Sequence, residues 1–147
     1  MHAVHKTVLA ALLLTLPVAS MAADRIVHLN FADVVAEAQK NGNIDGSVKF
    51  YLAGNTPQGS VKVVKEHVSA NRKTNAFGKK DAVSCAWVLQ SVLTALQDEA
   101  KEAGANAVID IVSNYDDVEY KDAENYECHA GFLMSGVQMK AKLAKIP

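Results

Sequence analysis

The sequence predicts an α+β domain in which one long helix packs on a small, largely antiparallel sheet, with a disulfide joining helix to strand. Three observations predict it. From Asp81 or Ser84 to about Ala103, apolar residues recur at helical spacing, with Cys85, Leu89, Val92 and Leu96 on one stripe and Leu93 and Ala100 beside it. Several shorter runs alternate at the two-residue spacing of strands and are parted by Gly, Asn and Pro clusters. The only two cysteines, Cys85 and Cys128, each fall on the apolar phase of their element, so both point into one core.

The chain begins with an export signal. Lys6, with His2 and His5 beside it, makes a short positive end; residues 8–16 are apolar, Pro17 breaks the run, and small Ser20 and Ala22 have the spacing of a cleavage site. The apolar run is well short of the ~20 residues needed to span a bilayer. Residues 1–22 are thus expected to be a signal peptide, and residues 23–147 a single periplasmic domain without stable membrane insertion. Its removal takes away Lys6 and no acid.

The elements follow in order. Residues 25–30 read as a strand, and Asn30 can cap a helix over residues 31–40 whose apolar face holds Val34, Val35 and Ala38. Asn41-Gly42-Asn43 ends that helix. Residues 47–53 alternate, with Val48, Phe50 and Leu52 on one face. Dense turn residues at 54–59 and a β-rich run at 60–70 make these two runs a hairpin, with a bulge where Val63 and Val64 adjoin. Residues 71–80 read as a polar, basic loop. After the long helix, Gly104 is the stop, and residues 106–113 form a strand covered on both faces. An acidic loop at 114–127 leads to a last strand over residues 126–143. Its inward set is Cys128, Ala130, Phe132 and Met134, then Val137, Met139 and Ala141 after a shift at Ser135-Gly136.

Composition limits the function. The chain has 147 residues, of which 50% are hydrophobic and 21% charged, and a formal net charge of -1. That is one globular domain, neither a disordered chain nor a clearly basic nucleic-acid binder. In an oxidising compartment an even pair of cysteines reads first as a disulfide, worth about 4 kcal/mol for a loop of this length. A pair of metal ligands or of reactive thiols are the other readings, although no Cys-x-x-Cys is present.

Enzyme motifs fail in turn. Leu133 and Val137 stand where a Gly-x-Ser-x-Gly elbow around Ser135 needs glycines. His28, His67 and His129 lack metal-ligand spacing, and His129 faces away from Cys128. Met134, Met139, His67 and His129 are soft donors that would suit copper, but the two methionines fit the last strand as core. No catalytic residue, resident metal or cofactor is expected. The notable polar feature is the basic loop, where Arg72, Lys73, Lys79 and Lys80 surround Phe77 and suit an anionic surface or an acidic partner.

The segment Gly104-Ala105-Asn106-Ala107 resembles the signature of the YbjQ-like heavy-metal-binding domains, and the helix-to-strand unit carrying it is similar to the RcsF-like stress sensors. The latter are small α+β lipoproteins whose disulfides tie helix to strands. With Asn71-Arg72-Lys73-Thr74-Asn75, Cys85 and Cys128-His129-Ala130-Gly131 added, the chain resembles small exported bacterial proteins of unassigned function. The broad resemblance covers residues 60–140, and the closer one most of the chain after residue 22. Some such proteins carry the label of an excinuclease ATPase subunit. Here Gly78-Lys79 is followed by Lys80, and Lys73 stands where a phosphate loop needs its first glycine, so that label finds no chemistry. The chain also lacks a lipid-bearing cysteine and a second cysteine pair. The expected function is a non-enzymatic binding or envelope-stress module whose partner is an envelope protein or an anionic envelope component. The resemblance to the YbjQ-like domains implies the alternative, a periplasmic heavy-metal-binding protein.

Overall fold

A computed structural model describes residues 24–147. The signal-peptide expectation lies outside the described residues. The elements are β1 (Arg25–Asn30), α1 (Phe31–Lys40), β2 (Lys49–Leu52), β3 (Lys62–Asn75), α2 (Asp81–Glu102), β4 (Ala107–Ser113), β5 (Asn125–Ala130) and β6 (Met134–Lys145). A single 3-10 turn, Tyr115–Asp117, lies between β4 and β5.

Local chemistry explains both helices. The Asp33 amide donates to the Asn30 side-chain oxygen at 3.0 Å, which caps α1, and Phe31, Val34 and Ala38 are its buried face. Helix α2 buries Cys85, Val88, Leu89, Val92, Leu93, Leu96 and Ala100, the stripe that its spacing requires. It ends in a Schellman closure. Gly104 takes φ +71°, while the Ala105 amide donates to the Ala100 carbonyl and the Gly104 amide to that of Lys101.

The sheet has six strands in the order β1-β5-β6-β4-β2, and β6 also pairs with β3. Every pairing is antiparallel except β2 with β4. Helix α2 packs on the sheet face made by β3, β6, β5 and β4, and α1 packs against α2. Cys85 of α2 and Cys128 of β5 are both fully buried and bonded, with Cα atoms 5.9 Å apart. The α+β class, the mainly antiparallel sheet and the helix-to-strand disulfide therefore stand.

Four expectations need correction. The picture of one long helix on a small sheet gives way to two helices and a six-stranded sheet. The hairpin expected from residues 47–70 is absent among the described residues, since β2 runs parallel to β4 while β3 crosses to the far side of β6. Alternation specifies a half-buried strand but not its partner, and the turn-rich stretch between them is held to other parts of the chain. Asn55 donates to the Ala123 carbonyl there, and Gly54 packs on Ala123. The bulge is found near its expected place, as a register shift between Val63 and Lys65.

The third correction is the basic loop, the first half of which is strand. Residues Asn71 to Asn75 pair with Gln138 to Met134, so antiparallel pairing with β6 overrides their polar composition. The fourth is the last strand, which breaks into β5 and β6 at residues 131–133. The Gly131 amide donates to the Met134 carbonyl at 2.9 Å. A Cβ on Gly131 would lie 2.7 Å from that same carbonyl oxygen and 2.6 Å from Asp24, so the close approach needs glycine. Phe132 and Met134, expected inside, are consequently exposed, whereas Val137, Met139 and Ala141 are buried as expected.

Candidate functional site

The break at residues 131–133 and the end of β3 create one end of the molecule. There the close of β3, the β5–β6 turn and the start of α2 meet. The Ala76 amide donates to the Leu133 carbonyl at 2.8 Å, joining the two turns. The Phe77 amide donates to Asn75 Oδ1, Lys79 closes a turn back onto the Ala76 carbonyl, and Gly78 takes φ +71°. The rings of Phe77 and Phe132 meet edge to face with centroids 5.4 Å apart. Phe132 is 68% exposed, Phe77 60%, Leu133 60% and Met134 46%. Four large apolar side chains, three on the adjoining turns and Met134 at the start of β6, are thus exposed at this end.

The residues singled out from sequence divide between two positions. Arg72 and Lys73 are both exposed, but they are successive residues of β3 and point to opposite faces of the sheet. Arg72 turns its guanidinium to the Asn71 carbonyl, and Lys73 stands opposite Gly136. Phe77, Lys79 and Lys80 belong to the tip itself. The Lys79 ammonium sits 5.3 Å from the centre of the half-exposed Trp87 ring, and Lys80 immediately precedes α2. Phe132, Leu133 and Met134 were missed because a Phe-Leu-Met run reads by propensity as buried strand. Gly131 just before it was the available signal.

Several contacts fix the tip to the scaffold. Arg25 makes a bidentate pair with Asp81 at the first turn of α2, at 2.7 and 3.0 Å. The hydrogen bond and the positive charge hold the Asp81 carboxyl below the usual carboxylate range, and the same pair raises Arg25. One turn on, the Ser84 and Ser135 hydroxyls are 2.8 Å apart and fully buried. The disulfide lies immediately beyond, so α2 is bound to both β5 and β6 next to the exposed turns.

A second cluster lies on the sheet face away from the disulfide. Pairing of β1 with β5 sets His28 opposite Glu127, with His129 two residues along. Glu127 receives His28 Nε2 at 3.4 Å on one oxygen and His129 Nε2 at 2.9 Å on the other. Tyr120 stacks on His28 and Tyr115 on His129, with centroids 4.1 and 3.7 Å apart. A Cβ on Gly136 would come within 2.8 Å of the Tyr115 ring, so that glycine admits the stack. Tyr120 donates to Asp122, whose carboxyl is held low chiefly by the amides of Glu124 and Asn125. The two imidazoles flank one carboxylate from either side. Among the described residues, no group of three or more His, Cys, Asp or Glu side chains is arranged to hold a metal ion. Met139 is buried under α2, on the other side of the sheet from His129.

Beside this cluster runs an open groove of about 670 Å³ lined by charges of both signs. These neutralise one another. Lys140 pairs with Glu119 at 2.7 Å, and Lys142 with Asp110 at 3.3 Å and Glu66 at 3.6 Å. Asp110 takes φ +52° at the register shift between Ile109 and Val112, where β4 bulges and turns its carboxylate to Lys142. Of the acidic loop, Glu119 is engaged in this way, while Asp122 is held by Tyr120 and Glu127 by the two histidines. At the tip, Phe77, Phe132, Leu133 and Met134 are exposed near exposed Lys80, with Lys79 half-buried over Trp87. No family model matches the chain, nor does any curated protein or solved structure.

Proposed function

We propose that the chain is an exported, non-enzymatic binding module of the cell envelope, and that its contact surface is the tip formed by residues 76–80 and 131–134. The observation that carries this reading is the exposure of Phe77, Phe132, Leu133 and Met134 at one end, where Phe77 and Phe132 touch and the two turns are tied by the Ala76–Leu133 hydrogen bond. Large apolar side chains gathered on a surface and rimmed by polar groups mark interaction sites. Lys79 and Lys80 supply a basic rim, which favours an anionic partner. The disulfide supports export, because such bonds persist in oxidising compartments.

The contact surface differs from the one expected from sequence in its membership. Phe77, Lys79 and Lys80 remain in it, Phe132, Leu133 and Met134 join it, and Arg72 and Lys73 flank it from opposite sheet faces. A photo-crosslinking residue at position 132 in living cells tests the reading. Position 118 is the control, since Val118 is also apolar and 67% exposed but lies in the loop after the 3-10 turn. A crosslinked product from position 132 alone, lost when Lys79 and Lys80 are changed to Glu, is the expected outcome. Equal products from both positions, or none from 132, would remove the tip as the contact surface.

A further inference from the structure

We infer that the partner of this tip is the surface of an anionic phospholipid bilayer, met by Phe132, Leu133 and Phe77 as shallow apolar anchors and by lysines at the headgroup level. The inference rests on the binding-module reading and names its ligand. Its first support is shape. The three apolar side chains stand on two adjoining tight turns, closed at Gly78 and Gly131, and each is at least 60% exposed, whereas surfaces that bind helices or polyproline segments are grooves. None of the three lines the charged groove beside the histidine cluster.

The second support is charge. Lys79 and Lys80 follow Phe77 directly, and Lys73 lies two residues before the end of β3. Of the acids at this end, Asp81 is neutralised by Arg25, and Asp24 lies beside Gly131. The balance is positive on a chain whose formal net charge is -1, so the basic character is local to the apolar tip. Lysine stems can lie along apolar surface while their ammonium groups reach phosphates, and each lysine near an anionic membrane is worth about 1 kcal/mol. Aromatic rings such as Phe77 and Phe132 add the apolar part by entering the boundary between headgroups and acyl chains. Neither contribution suffices alone, and the tip combines them.

The test is flotation of the purified, oxidised domain with vesicles of phosphatidylcholine alone and of phosphatidylcholine mixed with phosphatidylglycerol. The domain is expected to float with the anionic vesicles, to remain behind with the neutral ones, and to be released by high salt. Lys79→Gln with Lys80→Gln should weaken the partition roughly thirtyfold, the effect of removing two such charges. Phe132→Ser with Leu133→Ser should weaken it by about tenfold or more, from lost apolar burial. Phe132, Leu133 and Lys80 are exposed and Lys79 lies half-buried over Trp87, so both variants should melt close to the parent, and melting curves exclude unfolding as the cause. Equal flotation with both vesicle types, or parental flotation of both variants, would overturn the proposal. Absence of flotation together with a protein adduct at position 132 would overturn the lipid assignment and leave the contact surface standing. Absence of both would overturn the two together. A reversible dimer whose formation needs Phe132 and Leu133, with no flotation, would assign the tip to a second copy of the chain and also overturn the proposal.

Discussion

Tyr126 is the residue whose chemistry is least satisfied. Its side chain is fully buried beneath the helices, and its hydroxyl has no hydrogen-bonding partner among the described residues. Burial, with a smaller contribution from Glu37, pushes its phenol well above the ordinary range. A buried hydroxyl without a partner costs its desolvation, about 1–3 kcal/mol. Tyr126→Phe should therefore leave stability unchanged or raise it by about 1 kcal/mol, measured by urea unfolding. A loss greater than about 1 kcal/mol would show that the hydroxyl is paired in solution. Asp81 sets a pH dependence at the same scale. Its folded pKa is depressed by Arg25, so its contribution is fully present above the ordinary carboxylate value near 4 and is lost as pH falls through the lower folded value. Unfolding midpoints should fall on acidification, and Asp81→Asn should make that decline shallower. An unchanged acid limb in the variant would contradict the pairing. Neither residue announced its role in the sequence, nor did the His28–Glu127–His129 cluster. Scattered histidines without ligand spacing become neighbours only once β1 is registered against β5.

At the scale of elements, what was local was legible. The Asn30 cap, the apolar stripe of α2 and its Gly104 stop are each written within a few residues, and each appears where expected. The disulfide was legible for the same reason, since periodicity in α2 and alternation in β5 turn both cysteines inward. What was not legible depends on partners distant in sequence. The polar run Asn71 to Asn75 is strand only because β6 lies beside it, and β2 finds β4 across some fifty residues. The exposed turn at Phe132 depends on Gly131, where Asp24 and the Met134 carbonyl leave no room for a Cβ. The candidate site was consequently half read. Phe77 and its basic members were found, while Phe132 and Met134 were assigned to the core and Leu133 to no site. The energetic weight of the staple is an element-scale prediction. Cys85→Ala and Cys128→Ala should each cost about 4 kcal/mol, and the double variant scarcely more, because either change opens the same loop. Additive losses in the double variant would show that packing of the sulfur atoms, not the crosslink, accounts for the effect.

On the scale of the whole molecule, one architecture serves one end. Arg25–Asp81, the paired Ser84 and Ser135 hydroxyls and the Cys85–Cys128 bond are grouped where α2 begins. They tie β1, β5, β6 and α2 together behind the exposed turns. The opposite sheet face shows the contrary balance, with its lysines and carboxylates paired across the groove. Disulfides of this kind persist in oxidising compartments, and the proposed envelope contact requires export. Both proposals can be read from the state of the protein as cells contain it. Native mass spectrometry of protein recovered from the periplasmic fraction, without added chelator, tests them at once. The account predicts a chain that begins at Ala23, is lighter by two hydrogens than the reduced form, and carries no metal. A chain that retains residues 1–22 with both thiols free would contradict it, and metal in place of the disulfide would return the function to heavy-metal binding.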